Sequence, residues 1–564
     1  MKVFFAVLLS FTSFFVLAQE TDPEWEQEGE IDDAEVVIEK DREITLPTAS
    51  RRYEPIPPVE IARPTTNITY RFQEVVPTLP SLNPRVRPLK IKNPPLDKLY
   101  GNYLKLGFGN FLSPYAELFT NSTRNNDYGF GLHLLHESSR FGPVDNANSG
   151  NSDTQFGLNG KYFAPGHTFR ADVNYQRERY HFYGYSPLAE PIPERDSIRQ
   201  VFNSIVFSAG ISREQIEAPF DYDVQAKFIY LSDAYRASES QVELNMEATY
   251  TIFPHLQVGV ESDLFLMQRS DRSPETLQEG RANRNLFRAR PFLVYHTGEG
   301  LDEGLSIKGG FTVAHENDTA SNADQLHIYP YALATLNFDE SFQVYAGIDG
   351  NIEATSLYSS TRDYPYLLSH VPLLLTILHF TFRGGINVRI NSFLGFHAGV
   401  AANNYKNLYF FTNSASDSTR FTILYDEDNA FQLNLFGEIT LNSAERFRSS
   451  LRGDFFTYSL NDIAEPWHRP NVTLSWLNSL NLYGKILLNA EFQFMSGLQG
   501  LNLASGTTRQ LDAIADLHFQ ADYLFSNRFS AFIKVRNIFA QNYERFMNYP
   551  SRGIMFMGGV TYSF

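Results

Sequence analysis

The side chains able to do chemistry lie in an alternating pattern, not in a cluster. Glu243 and Glu247 are interleaved with Val242, Leu244, Met246, Ala248, Tyr250 and Ile252. Asp512, Asp516 and Asp522 alternate with Ala513, Ala515, Leu517, Phe519, Ala521 and Tyr523, and Lys534 and Arg536 with Ile533 and Val535. Acids and bases gathered on one face of a sheet set a local field, or pair into an ion network that fills an interior. Catalytic signatures are missing: there is no Gly-x-Ser-x-Gly, no His-Glu-x-x-His and no Walker loop. The 13 histidines are scattered, and the absence of cysteine removes disulfides, thiolate nucleophiles and thiolate metal sites. The residues therefore point to a non-enzyme with neither cofactor nor resident metal. Oxygen-rich stretches at Asp145–Asp153 and Glu316–Asp324 offer Ca²⁺ ligands, but their spacing matches no EF-hand and reads better as solvated loop.

The elements that carry these side chains are strands. A period of two buries or greases one face only. In Val242–Ile252 the apolar set is expected to face lipid and Glu243, Asn245, Glu247, Thr249 and Thr251 the lumen, because a carboxylate at mid-membrane is destabilising. Ala513–Tyr523 and Phe529–Val535 repeat the pattern, and so does the end of the chain, Gly558-Gly559-Val560-Thr561-Tyr562-Ser563-Phe564. Abundant aromatics, 31 Tyr and 48 Phe, suit the girdles of a membrane barrel.

Residues 1–18 read as a signal peptide: Lys2, an apolar core from Val3 to Leu17, and a small-residue cleavage site at Val16-Leu17-Ala18. Residues 19–98 form an acidic and then proline-rich extension. Its first part holds twelve acids against Lys40 and Arg42 between Glu20 and Leu46. With a formal charge of −17, the chain is not one that binds nucleic acid. Prolines then crowd residues 47–95 and leave an extended periplasmic segment.

Residues 99–564 are expected to form an all-β, transmembrane antiparallel barrel. Short turns, such as Pro165-Gly166-His167, Asn391-Ser392-Phe393, Asn478-Ser479-Leu480 and Ser526-Asn527-Arg528, alternate with long connections. The long ones include Glu137–Asp153, Ser186–Ile198, Arg269–Arg284, Ser356–Leu374 and Gly497–Gln510. Asn121–Asp127 supplies a tenth short turn, and ten such turns with both termini periplasmic give about 22 strands. The apolar run Tyr364–Phe380 is unusual for a loop. It reads as a strand start plus a loop folded into the barrel mouth, or as an exposed docking patch for an outer-membrane partner.

The end of the chain carries a more specific signal: Val535-Arg536-Asn537-Ile538-Phe539, then Tyr543-Glu544, Tyr549-Pro550-Ser551-Arg552-Gly553, and the closing Gly559–Phe564. Over these residues the chain resembles a TonB-dependent receptor barrel, with Ile538 in place of the usual Leu. The resemblance implies a 22-stranded outer-membrane barrel for uptake or passage of a solute. It also implies that Tyr562 and Phe564 form the terminal signal read by the barrel-assembly machinery. Glu35-Val36-Val37-Ile38 loosely resembles the short peptide by which such receptors pair with TonB, and an extended peptide of this kind can join a partner's sheet edge. Family members also carry a folded plug in the barrel, whereas here only residues 19–98 precede it. The alternative is a non-transporting scaffold of an outer-membrane assembly or secretion complex, contacting periplasmic partners through that extension.

Overall fold

The computed structural model describes Arg71 and residues 98–564, apart from 187–190, 214–218, 273–278, 299–303, 319–322 and 444–445. The signal peptide, the rest of the extension through residue 97 and the segment Glu35–Ile38 lie outside the described residues.

Twenty-two antiparallel strands form one sheet that closes on itself, each strand paired to its neighbour in sequence and the last, Met555–Ser563, to the first, Asn102–Gly109. Closure removes the open strand edges that lipid could not satisfy. The termini meet at one end, where Asn102 and Phe564 exchange backbone hydrogen bonds of 3.1 and 3.0 Å. That end therefore holds ten of the connections and the far end eleven.

The two faces of the wall follow the alternation. Val242, Leu244, Met246, Tyr250 and Ile252 are exposed on the outside, as are Ile533 and Tyr523. On the inside, Glu243 pairs with Lys227 at 3.2 Å and Arg536 holds Glu137 at 2.6 Å. Further charges form a linked set: Arg290 bridges Glu261 and Asp349, Lys308 reaches Glu261 at 2.6 Å, and Arg288 reaches Asp263 at 3.0 Å. Polar groups facing away from lipid need partners, and these strands supply them across the ladder.

At the closing seam Gly107 stands opposite Gly559. The ring of Phe532 lies where a Cβ on either glycine would be, and Lys105 sits 4.3 Å over that ring. Tyr562 and Phe564 stack at 5.5 Å on the exposed side of the same seam.

Four sequence expectations need correction. Asn478–Leu480 lies inside the strand Val472–Leu482, and the chain turns four residues later. There Tyr483 (φ 56°) and Gly484 (φ 63°) adopt the left-handed pair of a tight hairpin, with Asn481 Oδ1 accepting from Gly484 N–H at 2.9 Å. Arg269–Arg284 is not a long connection: one strand runs on to Arg272 and the next resumes at Glu279, because its polar residues pair above the lipid. Asp512 precedes its strand, which begins at Ile514, and is exposed. Glu316–Asp318 likewise belongs to a strand and not to a loop, and its two acids are buried.

Candidate functional site: the closed mouth

The site begins with the apolar run Tyr364–Leu375, within the connection between strands Phe342–Glu353 and Thr376–Arg389. Water would leave such a run with nothing to cover it, and it folds inward. Tyr364, Tyr366, Leu367, Val371, Leu373 and Leu375 are all buried, which decides against the exposed docking patch. The connection opens with a short helix, Leu357–Asp363. Ser356 caps it, donating and accepting with Ser359 in a capping box.

Charges on the barrel wall take up the backbone groups of this inserted segment. The Glu239 carboxylate accepts from Leu357 N–H at 2.9 Å and from Tyr358 N–H at 3.0 Å, at the positive end of the helix. Arg284 Nη2 stands 3.9 Å from that carboxylate. Arg269 donates to the carbonyls of Val371 at 2.7 Å and Ser369 at 2.9 Å, and is itself paired with Asp271 at 2.7 Å. Asp271 also meets His370 Nδ1 at 2.7 Å. Asp233 accepts from the Ser369 hydroxyl, and Asp318 from Leu375 N–H at 2.9 Å. Glu239, Arg269, Asp271, Arg284 and Asp318 are all buried. A buried charge is tolerated only when paired and hydrogen-bonded, and the inserted segment supplies hydrogen-bond partners to Glu239, Arg269, Asp271 and Asp318.

Above this layer the aromatic residues of several connections meet. Tyr364 stacks on Phe411 at 3.8 Å and Tyr366 on Tyr549 at 3.7 Å, while Phe546 stands edge-on to Tyr364 at 4.4 Å. Tyr183 lies edge-on to Tyr549 at 4.8 Å, and Phe182, Ala237 and Phe421 join the cluster. These residues come from the connections after the fifth, seventh, thirteenth, fifteenth and twenty-first strands, from three well-separated arcs of the ring. Side chains from such distant parts of the rim can touch only if their loops cross the opening. The mouth at this end is therefore bridged.

His468, in the connection after the seventeenth strand, ties two of these loops together. It is buried; Nδ1 donates to the Phe411 carbonyl at 2.7 Å and Nε2 accepts from Met547 N–H at 3.2 Å. Those two bonds require the neutral ring with its proton on Nδ1. Burial pushes its pKa from 6.5 down to about 4, with Arg545 and Arg509 adding repulsion. Burial likewise raises the phenols of Tyr364, Tyr366 and Tyr549.

The C-terminal motif residues serve the same closure. Asn537, at φ 50°, donates to the carbonyls of Gln541 at 2.8 Å and Arg552 at 2.7 Å. Arg552 reaches the carbonyls of Phe141 and Ser149 and the Asn151 side chain. Tyr543 donates to Asp516 at 2.6 Å, and Tyr549 enters the aromatic cluster. The calcium candidates are spoken for within the protein: Asp145 accepts from Tyr185 and Asp153 from Gln155 and Gln176. Among the described residues no group of acids and histidines is arranged to hold a metal ion. Sequence reasoning found the inserted run but missed Glu239, Arg269, Asp318 and His468. Glu239 and Arg269 had a readable sign: strand alternation continues through them beyond the span that lipid requires.

No family model and no curated protein matches the chain. Solved structures do. The siderophore receptor PirA from Acinetobacter baumannii aligns with a TM-score of 0.62 at 11% identity, covering 84% of this chain and 81% of that one. The pyoverdine outer membrane receptor FpvA from Pseudomonas aeruginosa aligns at 0.62 and 13%, over 84% and 79%. The FrpB iron transporter from Neisseria meningitidis aligns at 0.63 and 8%, over 83% and 82%. These are receptors and transporters, not enzymes, and at such identities they speak for the fold. The protein has the fold of the TonB-dependent receptor barrels, a closed cylinder of 22 antiparallel strands.

Proposed function

We propose that the protein is a receptor-like barrel of the outer membrane that takes up or passes a solute, with its outer mouth held shut at rest by its own loops. The observation that carries this reading is the bridged mouth. A segment latched by Glu239, Arg269, Asp271 and Asp318 lies across one end of a cylinder whose interior is polar. A barrel used only as an anchor has no need of a stopper made of buried ion pairs. Proteins of similar fold include a siderophore receptor, an iron transporter and a copper transporter, which supports solute uptake here without naming the solute. In this reading Glu35-Val36-Val37-Ile38 is the strand that pairs with a periplasmic partner, TonB or another protein. Tyr562 and Phe564 present the terminal signal to the barrel-assembly machinery, and the signal peptide is cleaved on export.

The test compares the permeability of proteoliposomes to a small solute for the full chain and for a chain lacking residues 357–374, each with and without residues 19–98. The reading expects the loop deletion to raise permeability in at least one background. Equal, low permeability in all four would refute a gated passage. A pull-down from gently solubilised membranes, with and without residues 19–46, separates the partners. Recovery of TonB that depends on the segment supports uptake, whereas recovery of other envelope proteins instead supports the scaffold.

A further inference from the structure

The outer wall changes character abruptly between two adjacent rows of side chains. Cross-strand registers align Leu134, Phe156, Tyr175, Ile205 and Tyr230 in one row on the outer face. Tyr230, Phe156, Ile205 and Leu134 are exposed hydrophobics, as a lipid belt requires. Two residues further along each strand the same registers give His136, Thr154, Arg177, Asn203 and Ser232. The next row brings Ser138, Ser152 and Arg179. Tyr175 marks the boundary, donating upward from its hydroxyl to Asn203 Oδ1 at 3.2 Å. The strand rises from exposed Phe169 to Arg177 over eight residues, roughly 20 Å of height at the usual barrel tilt. That places Arg177 and Arg179 at the headgroup level of the leaflet on the loop side.

Two more arginines gather there. Arg195 and Arg199 lie close enough to Arg179 to repel its charge, as does Arg177. Arg199 is paired with Asp196 at 2.9 Å. Arg177, Arg179 and Arg195 have no carboxylate partner among the described residues, and the Nε groups of Arg179 and Arg195 are buried without an acceptor. Repelling guanidinium groups, fixed beside one another with donors unmet, describe half of an anion site.

We propose that Arg177, Arg179 and Arg195 bind the phosphate of an anionic lipid headgroup in the leaflet surrounding the loop end of the barrel. A lipid is preferred to a soluble anion because the cluster lies immediately above the greasy row and on the outside of the wall. A phosphate there sits at the depth where acyl chains can lie against Phe156, Tyr175 and Ile205. Planar forked donors suit phosphate oxygens, and basic residues near an anionic headgroup add their attractions.

The experiment is native mass spectrometry of the full chain in a neutral detergent, with phosphatidic acid and phosphatidylcholine as probes. The intact protein is expected to retain phosphatidic acid in preference to phosphatidylcholine. The triple variant R177Q/R179Q/R195Q should lose about a hundredfold in that retention. The triple lysine variant should keep most of it, and R528Q, at the opposite end of the barrel, should behave like the parent. Heat-modifiable gel mobility shows that each variant is folded. Excess inorganic phosphate should displace little of the lipid, and full displacement would make this a site for free phosphate and overturn the lipid assignment. The proposal also fails if the parent does not distinguish the two lipids, or if the glutamine variant binds as the parent does.

Discussion

Acid should open the mouth, and His468 should set where. In the closed mouth its Nε2 must stay unprotonated to accept from Met547 N–H, and its pKa is held near 4. Once the loops separate, the ring returns to water and to its ordinary value of 6.5. The open form therefore binds more protons between these values. Closure is at full strength above pH 6.5 and weakens as pH falls toward 4. The difference amounts to about 100-fold in the closing equilibrium at pH 4, near 3 kcal/mol. The chain has no native cysteine, so one introduced by Met547→Cys can report opening through its rate of maleimide labelling. Dividing by the rate of an exposed reference, Thr508→Cys, removes the intrinsic pH dependence of the thiol. The ratio should be small and flat above pH 6.5 and rise steeply below it. His468→Asn removes the ring that titrates, and its ratio should be raised at neutral pH and nearly level across the window. The histidine variant is therefore the decisive control. A flat ratio in the parent, or an undiminished acid response in the variant, would refute the assignment.

Three further outcomes follow from the same contacts. Glu239→Gln removes the charge at the start of the helix Leu357–Asp363 and leaves Arg284 without its counter-charge, so it should weaken the latch by about 2 kcal/mol and increase open-channel events in planar bilayers. Tyr364→Ala takes a ring out of the stack with Phe411 and the edge contact with Phe546, and should cost the loop cluster about 4 kcal/mol, seen as faster amide exchange across residues 408–426. Gly559→Ala puts a methyl group into the Leu106 carbonyl and the Phe532 ring, and should lower the temperature at which the barrel loses its compact gel mobility, at a cost of about 2 kcal/mol.

The barrel was legible because lipid imposes one rule on every strand. Val242–Ile252 and Phe529–Val535 had to alternate, and counting turns between such runs is enough to number the strands. The turn at Tyr483-Gly484 escaped because Asn478-Ser479 is a stronger polar punctuation than the pair that makes the hairpin. Both lie within a strand, where Ser479 shares a face with Arg448 and Asn489 while Asn478 points to the opposite one. The inward fold of Tyr364–Leu375 was visible as an apolar run with no place in water. Its partners were not visible. Glu239, Arg269 and Asp318 lie 57 residues or more from the nearest backbone groups of the inserted segment that they hold, and His468 joins loops that alternation says nothing about. Loop-to-loop contact has no period, so nothing local in the chain announces it.

A ring of 22 strands is about 40 Å across, and a hollow tube of that girth ovalises easily because bending a thin wall is cheap. The stacked rings joining Tyr183, Tyr366, Phe411 and Tyr549 run from one arc of the rim to another, like spokes. Released loops would thus do more than uncover a hole: the rim would lose its bracing, and the cross-section below would become free to change shape. Access and calibre are then one mechanical variable in this protein, set by whether the spokes are in place.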